Sequence, residues 1–437
     1  MKILILSVNG AGHINCCVGI GKVLYKFGHE IVFGVADSCS WLVDAFDFCS
    51  VELFRDPDLE EGKSIQQKWA EEMAEFCAVF RKTGEEQFNQ MDHDVLIHFS
   101  QIVKNTDHLY AGVIEKVNPD MILIDCYVRV PSVETCGIPW AVINSSNSLR
   151  IYDGLPGAPP KYGGFALDQD QSVYDELYRV REKSIHDLNR EYDEWLRSKG
   201  CSKRCSSSTG KYEIFSPYLN IYIYPSDLDY TEFGKTPEGW FRADHAIRPI
   251  DNSPIGVDLD EFIQPGDKLI YFSLGSMASA DLELMQRMID IVKKSPHKFI
   301  ISKGPLHEKI ELPPNMIGGK YLNQLKILSK VDLVITHGGN NSFVEALYHG
   351  KPLIVIPLFG DQHDNGRRTE DKKIGRCFHP FKVTESELLN AIDQLLNDQE
   401  LRKRVEAIGQ RIRDSNYGEN LSKKLESIVK DQIKVEV

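Results

Sequence analysis

The chain has 437 residues, of which 42% are hydrophobic and 26% charged, and a formal net charge of −13. That length exceeds one ordinary core and predicts two domains of about 200 residues each, with the composition of a soluble globular protein. The acidic balance argues against nucleic acid or an anionic membrane as the main partner.

The ten cysteines include no CxxC pair and no His/Cys cluster with zinc spacing, so they read as reduced thiols and no metal site is predicted. The first residues run straight into an apolar strand without the pattern of a secretory signal. No run approaches the roughly 18–20 apolar residues of a membrane helix. These features predict a cytoplasmic protein.

In chain order, Lys2–Ser7 reads as a strand, 14–27 as a helix closed by Gly28, and Glu30–Val35 as a second strand. Residues 60–90 and 169–199 read as charged helical insertions, and 201–210 as a Ser-rich loop. Residues 121–124 form a strand ending at Asp125, and 140–143 another. A Pro- and Gly-containing linker is expected at 251–267, closing a first domain of residues 1–250. The pattern then restarts across 268–415, with strands at Leu269–Ser273, 298–301, 331–335 and 353–356. Helices are expected at 281–293, 385–396 and 401–413, and a last helix in 416–437 is long enough to return to the first domain. This is βαβ grammar, predicting two doubly wound parallel sheets with ligands at the carboxyl ends of their strands.

Two loops carry the chemistry. Gly10-Ala11-Gly12-His13 follows the first strand but fails as a dinucleotide fingerprint, because Asn15 stands where the third glycine belongs. That disfavours an NAD-dependent oxidoreductase. His13 instead reaches the ligand crevice as a candidate general base, taken as largely neutral at pH 7, with Asp125 placed to fix its tautomer. The alternative is a turn or capping histidine beside an unrelated strand-end acid. In the second half, a strand runs into Thr336-His337-Gly338-Gly339-Asn340-Asn341-Ser342 and then a helix. Free amides and the positive helix end make such a turn a phosphate seat. Ser342-x-x-Glu345 also fits a helix capping box that needs no ligand. Asn340 reads as a turn residue, and Arg367, Arg368, Lys372 and Lys373 as a solvated helix face.

The ordered set Tyr321-x-x-Gln324, His337-Gly338-Gly339, Asn341-Ser342, Glu345 and Pro357-Leu358-Phe359-Gly360-Asp361-Gln362, with the N-terminal Gly12-His13, resembles the inverting UDP-sugar-dependent glycosyltransferases. Those enzymes are α/β proteins of the GT-B fold, two Rossmann-like domains facing across a cleft. The resemblance spans nearly the whole chain, and the spacing from Gln324 to His337 is similar to that of bacterial macrolide-type members. It implies that Tyr321, where the family usually carries Trp, stacks on uracil, and that Gln324 and Glu345 contact the ribose. His337, Gly339, Asn341, Ser342 and Ser276 would hold the diphosphate, and Asp361 and Gln362 the sugar hydroxyls. It further implies UDP-glucose as donor substrate, no obligatory metal or other cofactor, and His13 and Asp125 as the catalytic pair. Trp69, Met73, Phe76, Phe80, Phe99, Tyr127, Leu149 and Tyr152 are the expected lining of a pocket for a lipophilic hydroxylated acceptor such as a flavonoid or xenobiotic, a detoxifying use. The competing readings are a UDP-sugar epimerase or hydrolase, and a non-catalytic sugar-nucleotide binder.

Overall fold

The computed structural model describes residues 1–54, 76–202, 212–250 and 253–435. Seven parallel strands form the first sheet: β1 (Lys2–Ser7), β2 (Glu30–Val35), β3 (Cys49–Glu52), β4 (Met121–Asp125), β5 (Trp140–Asn144), β6 (Leu219–Ile223) and β7 (Trp240–Ala243). Their order is β3-β2-β1-β4-β5-β6-β7. Six more form the second: β8 (Leu269–Ser273), β9 (Lys298–Ser302), β10 (Met316–Gly319), β11 (Leu333–Thr336), β12 (Leu353–Val355) and β13 (Gly375–Cys377), in the order β10-β9-β8-β11-β12-β13. Helices cover both faces of a doubly wound sheet, so the central strands must be apolar throughout, and β1, β4, β5 and β8 are buried along nearly their whole length.

Both sheets reverse strand order at one point, between β1 and β4 in the first and between β8 and β11 in the second. Crevices form at such points because the loops leave in opposite directions. Helix α1 (Ala11–Lys26) begins right after β1 and carries His13. Two long helices, α2 (Gly84–Val117) and α3 (Gln171–Ser198), pack against each other on the first domain. Most of the predicted insertion at 60–90 and most of the Ser-rich loop lie outside the described residues. Helix α4 (Asn340–Tyr348) leaves β11 after two glycines, and α5 (Asp361–Asp371) follows β12.

The last helix, α6 (Tyr417–Val435), lies on the first domain. Tyr417, Leu421 and Leu425 recur every four residues, one apolar stripe, and join the core built by α1 and strands β1, β2 and β4 to β6. The Tyr417 hydroxyl donates to the His245 carbonyl, and His29 and Ser422 pair at 2.8 Å. The segment after β7 runs directly over α1: a Cβ at Gly19 would collide with the Ala246 carbonyl. The chain therefore crosses between the domains twice. Among the described residues no helix is long and apolar enough to cross a membrane.

Candidate active site

The first half of the site is built on β1 and β4. Because Ser7 and Asp125 are register partners, the loop after β1 lifts His13 over the end of β4. His13 Nδ1 lies 2.9 Å from Asp125 Oδ2 and 2.9 Å from Ser145 Oγ. Asp125 is buried, while a fifth of the His13 side chain remains exposed, at 21%. Nδ1–H donated to Asp125 leaves Nε2 as the acceptor, and the Tyr127 hydroxyl sits 3.2 Å from it. Burial holds the Tyr127 phenol well above its ordinary pKa, so it stays a donor to that nitrogen. Burial alone would lower the His13 pKa, but the charge and hydrogen bond of Asp125, with the charge of Asp361, raise it above the ordinary imidazole value. The two carboxylates therefore favour the protonated imidazole relative to an unpartnered one.

The second half is the turn between β11 and α4. Gly338 has φ +83°, where a side chain is strained, and a Cβ there would lie 2.6 Å from Val355. Gly275, at φ +74° after β8, and Gly339 flank the His337 imidazole so closely that a Cβ on either would strike it. Burial pushes His337 down to about 4, so the free protein holds a neutral ring there. Gly339 is the N-cap of α4 and provides no side-chain hydrogen bond, so the capping-box alternative for Ser342 and Glu345 does not hold. Instead the Gln324 amide donates to Ser342 Oγ at 3.2 Å and to Glu345, and the Tyr271 hydroxyl donates to Gln324 at 3.1 Å. Ser276 is exposed in the short helix Gly275–Ala278 beside this turn.

The two halves touch. The Asn341 amide donates to the carbonyl of Gly12, next to His13. Arg248, from the segment between the domains, donates to Asn15 on α1 at 2.8 Å and approaches Glu345 at 3.4 Å. Asn340 is no mere turn residue: it is buried and its amide donates to the carbonyls of Ser145 and Ile223, both at 3.0 Å. Asp361 accepts from the Asn147 backbone at 2.8 Å, and burial pushes its carboxyl up to about 6.

Helix α5 faces the first domain with its polar side. Asp364 accepts from the amides of Tyr162 and Gly164, and Asn365 pairs with Asn147 at 2.7 Å. Arg368 donates to the carbonyls of Leu228 and Asp229. Arg368 is fully buried, which corrects its assignment to a solvated face. Gln362 turns its side-chain oxygen back to the amides of Leu358 and Phe359, fixing the loop before α5.

The expected acceptor residues divide. Phe99 packs on Tyr127 with ring centroids 4.7 Å apart, beside His13. Phe80, Leu149 and Tyr152 are instead enclosed in the apolar core that joins the domains, where Phe76 and Phe80 pack on Phe359 of the second domain. Alternating apolar residues look alike in a core and a pocket, so the sequence did not separate them. Trp69 and Met73 lie outside the described residues. Ser145, Asn147, Arg248 and Asn365 escaped the sequence reading because their partners lie far away in the chain.

Among solved structures of this architecture is the spinosyn rhamnosyltransferase SpnG, with a TM-score of 0.69 at 16% identity over 98% of this chain and 100% of that one. SpnG has also been solved with thymidine diphosphate and with the spinosyn aglycone. That likeness shows the GT-B fold. The family model described as UDP-glucoronosyl and UDP-glucosyl transferase matches residues 228–431. The uncharacterized UDP-glucosyltransferase YojK of Bacillus subtilis (strain 168) is 27% identical over 418 residues, 94% of this chain and 93% of that protein. The NDP-glycosyltransferase YjiC of the same organism is 32% identical over 165 residues, spanning 37% of this chain and 42% of YjiC. Nearly half of this chain thus matches the UDP-glycosyltransferase family model, and YojK is similar to it along almost its whole length.

Proposed function

We propose that this enzyme transfers glucose from UDP-glucose to a hydroxyl group of a lipophilic, aromatic small molecule, with inversion at the anomeric carbon. The observation that carries the reading is the shared cleft: His13 with Asp125 on one wall, the glycine turn into α4 on the other, and Asn341 reaching the backbone beside His13.

His13 Nε2 takes the proton of the acceptor hydroxyl, whose oxygen forms the new bond to the anomeric carbon. The bond from that carbon to the diphosphate breaks, and UDP departs with the electron pair. Asp125 stabilises the imidazolium as it forms. Amides at the start of α4 and its positive end receive the diphosphate charge. Glu345 and Gln324 exchange their mutual hydrogen bond for the ribose hydroxyls, and Tyr321 carries uracil. Asp361 is the sugar-hydroxyl contact. The Tyr127 hydroxyl occupies the position an acceptor hydroxyl needs against Nε2, and Phe99 beside it offers an aromatic wall.

The reading is tested by mass spectrometry of UDP-sugar mixtures incubated with a panel of phenols. A product heavier by one hexose, formed from UDP-glucose, is expected. UDP release without product would instead favour hydrolysis. His13→Ala should lose about 10²–10⁴-fold in turnover while UDP still binds. An unchanged rate would remove His13 from the mechanism.

A further inference from the structure

Trp41 lies in the short helix Ser40–Asp44, just past the carboxyl end of β2 in the first domain. Its side chain is 55% exposed, and Tyr321 of the second domain is 54% exposed. Neither belongs to a hydrophobic core of the described residues. Yet the two rings face each other between the domains, with centroids 6.4 Å apart and planes inclined by 50°. Leaving two large aromatics half in water gives up the burial that normally holds such side chains.

Tyr321 is firmly placed. The linker residue Ile255 accepts from the Asn323 amide at 3.1 Å. A Cβ at Gly256 would meet the Tyr321 carbonyl at 3.0 Å. The loop bearing Tyr321 therefore lies against the segment that joins the domains. Trp41 belongs to the first domain, so the ring pair spans the two domains.

A flat heterocycle in contact with a ring on each side needs a ring separation of roughly 7 Å, twice a carbon–carbon contact. The observed gap falls short of this by a fraction of an ångström and is tilted. A small side-chain rotation admits a base. We propose that Trp41 is a nucleobase-binding residue, closing the face of the base opposite Tyr321. The base would then be held by one aromatic from each domain. This rests on the reading of Tyr321 as the uracil platform.

Calorimetric titration of UDP into wild-type protein, Trp41→Ala, Trp41→Phe and Tyr321→Ala tests it, alongside quenching of tryptophan fluorescence by UDP. Trp41→Ala should weaken UDP about tenfold, a typical loss for one base–aromatic stack. Trp41→Phe should keep most of the affinity but lose the part of the quench that Trp41 contributes. Thermal midpoints should not change, because Trp41 is exposed. Wild-type affinity in Trp41→Ala, or an undiminished quench in Trp41→Phe, overturns the proposal. If Tyr321→Ala weakens UDP and Trp41→Ala does not, only the role of Trp41 falls. If wild-type protein binds no UDP, the nucleotide reading itself falls.

Discussion

His13 is held by three groups at once: Asp125 and Ser145 at Nδ1, and Tyr127 at Nε2. The charges that face it are Asp125 and Asp361, which favour its protonated form, and Arg150, which opposes it. If His13 is the base proposed above, only its neutral ring can take the proton, and kcat/KM should fall as pH drops through the raised His13 pKa. Asp361→Asn removes one of the two raising charges. The acidic limb of the kcat/KM profile should therefore move to lower pH, whatever the proposed sugar contact of Asp361 does to the plateau. An unmoved limb would mean that the two groups are electrostatically independent. Asp361 is itself pushed up to about 6 by burial.

At the scale of elements, the turn before α4 depends on space left empty around His337. Gly275→Ala would put a methyl group 2.7 Å from the imidazole, on a backbone at φ +74°. It should destabilise the protein by about 1–2 kcal/mol in denaturant unfolding. It should also weaken UDP, since the ring must move out of the seat. Which elements were legible follows from the same packing logic. The central strands β1, β4, β5, β8 and β11 are covered on both faces and announce themselves as apolar runs. The strands that escaped notice include β3, β7, β10 and β13, the edges of the two sheets, which are short and partly uncovered. The sixth strand escaped for another reason: Asn220 is buried within it, its amide spent on the carbonyls of Ser216 and Gly239. Helix α5 misled because its buried face is polar, with Asp361, Asp364, Asn365 and Arg368 spaced for one side. Local motifs marked the glycine turns and His13, whereas Arg248 and Asn147 gain meaning only when distant segments meet.

For the whole molecule, the stripe on α6 completes the core of the first domain. Leu421 and Leu425 are fully buried there. Leu421→Ala should cost about 2–5 kcal/mol, read as a lower thermal midpoint, through the cavity it leaves against first-domain residues. A variant melting like the wild type would show that α6 is an accessory strap, not part of that core.

The same stripe bears on synthesis. A ribosome adds residue 250 long before residue 421, so the N-terminal half emerges with a gap in its interior that only a much later stretch of the chain can fill. Until residue 425 has emerged, that half is an unfinished solvent-exposed intermediate, of the kind that invites aggregation. Its folding must wait for contacts about 400 residues apart, a slow route for any polypeptide.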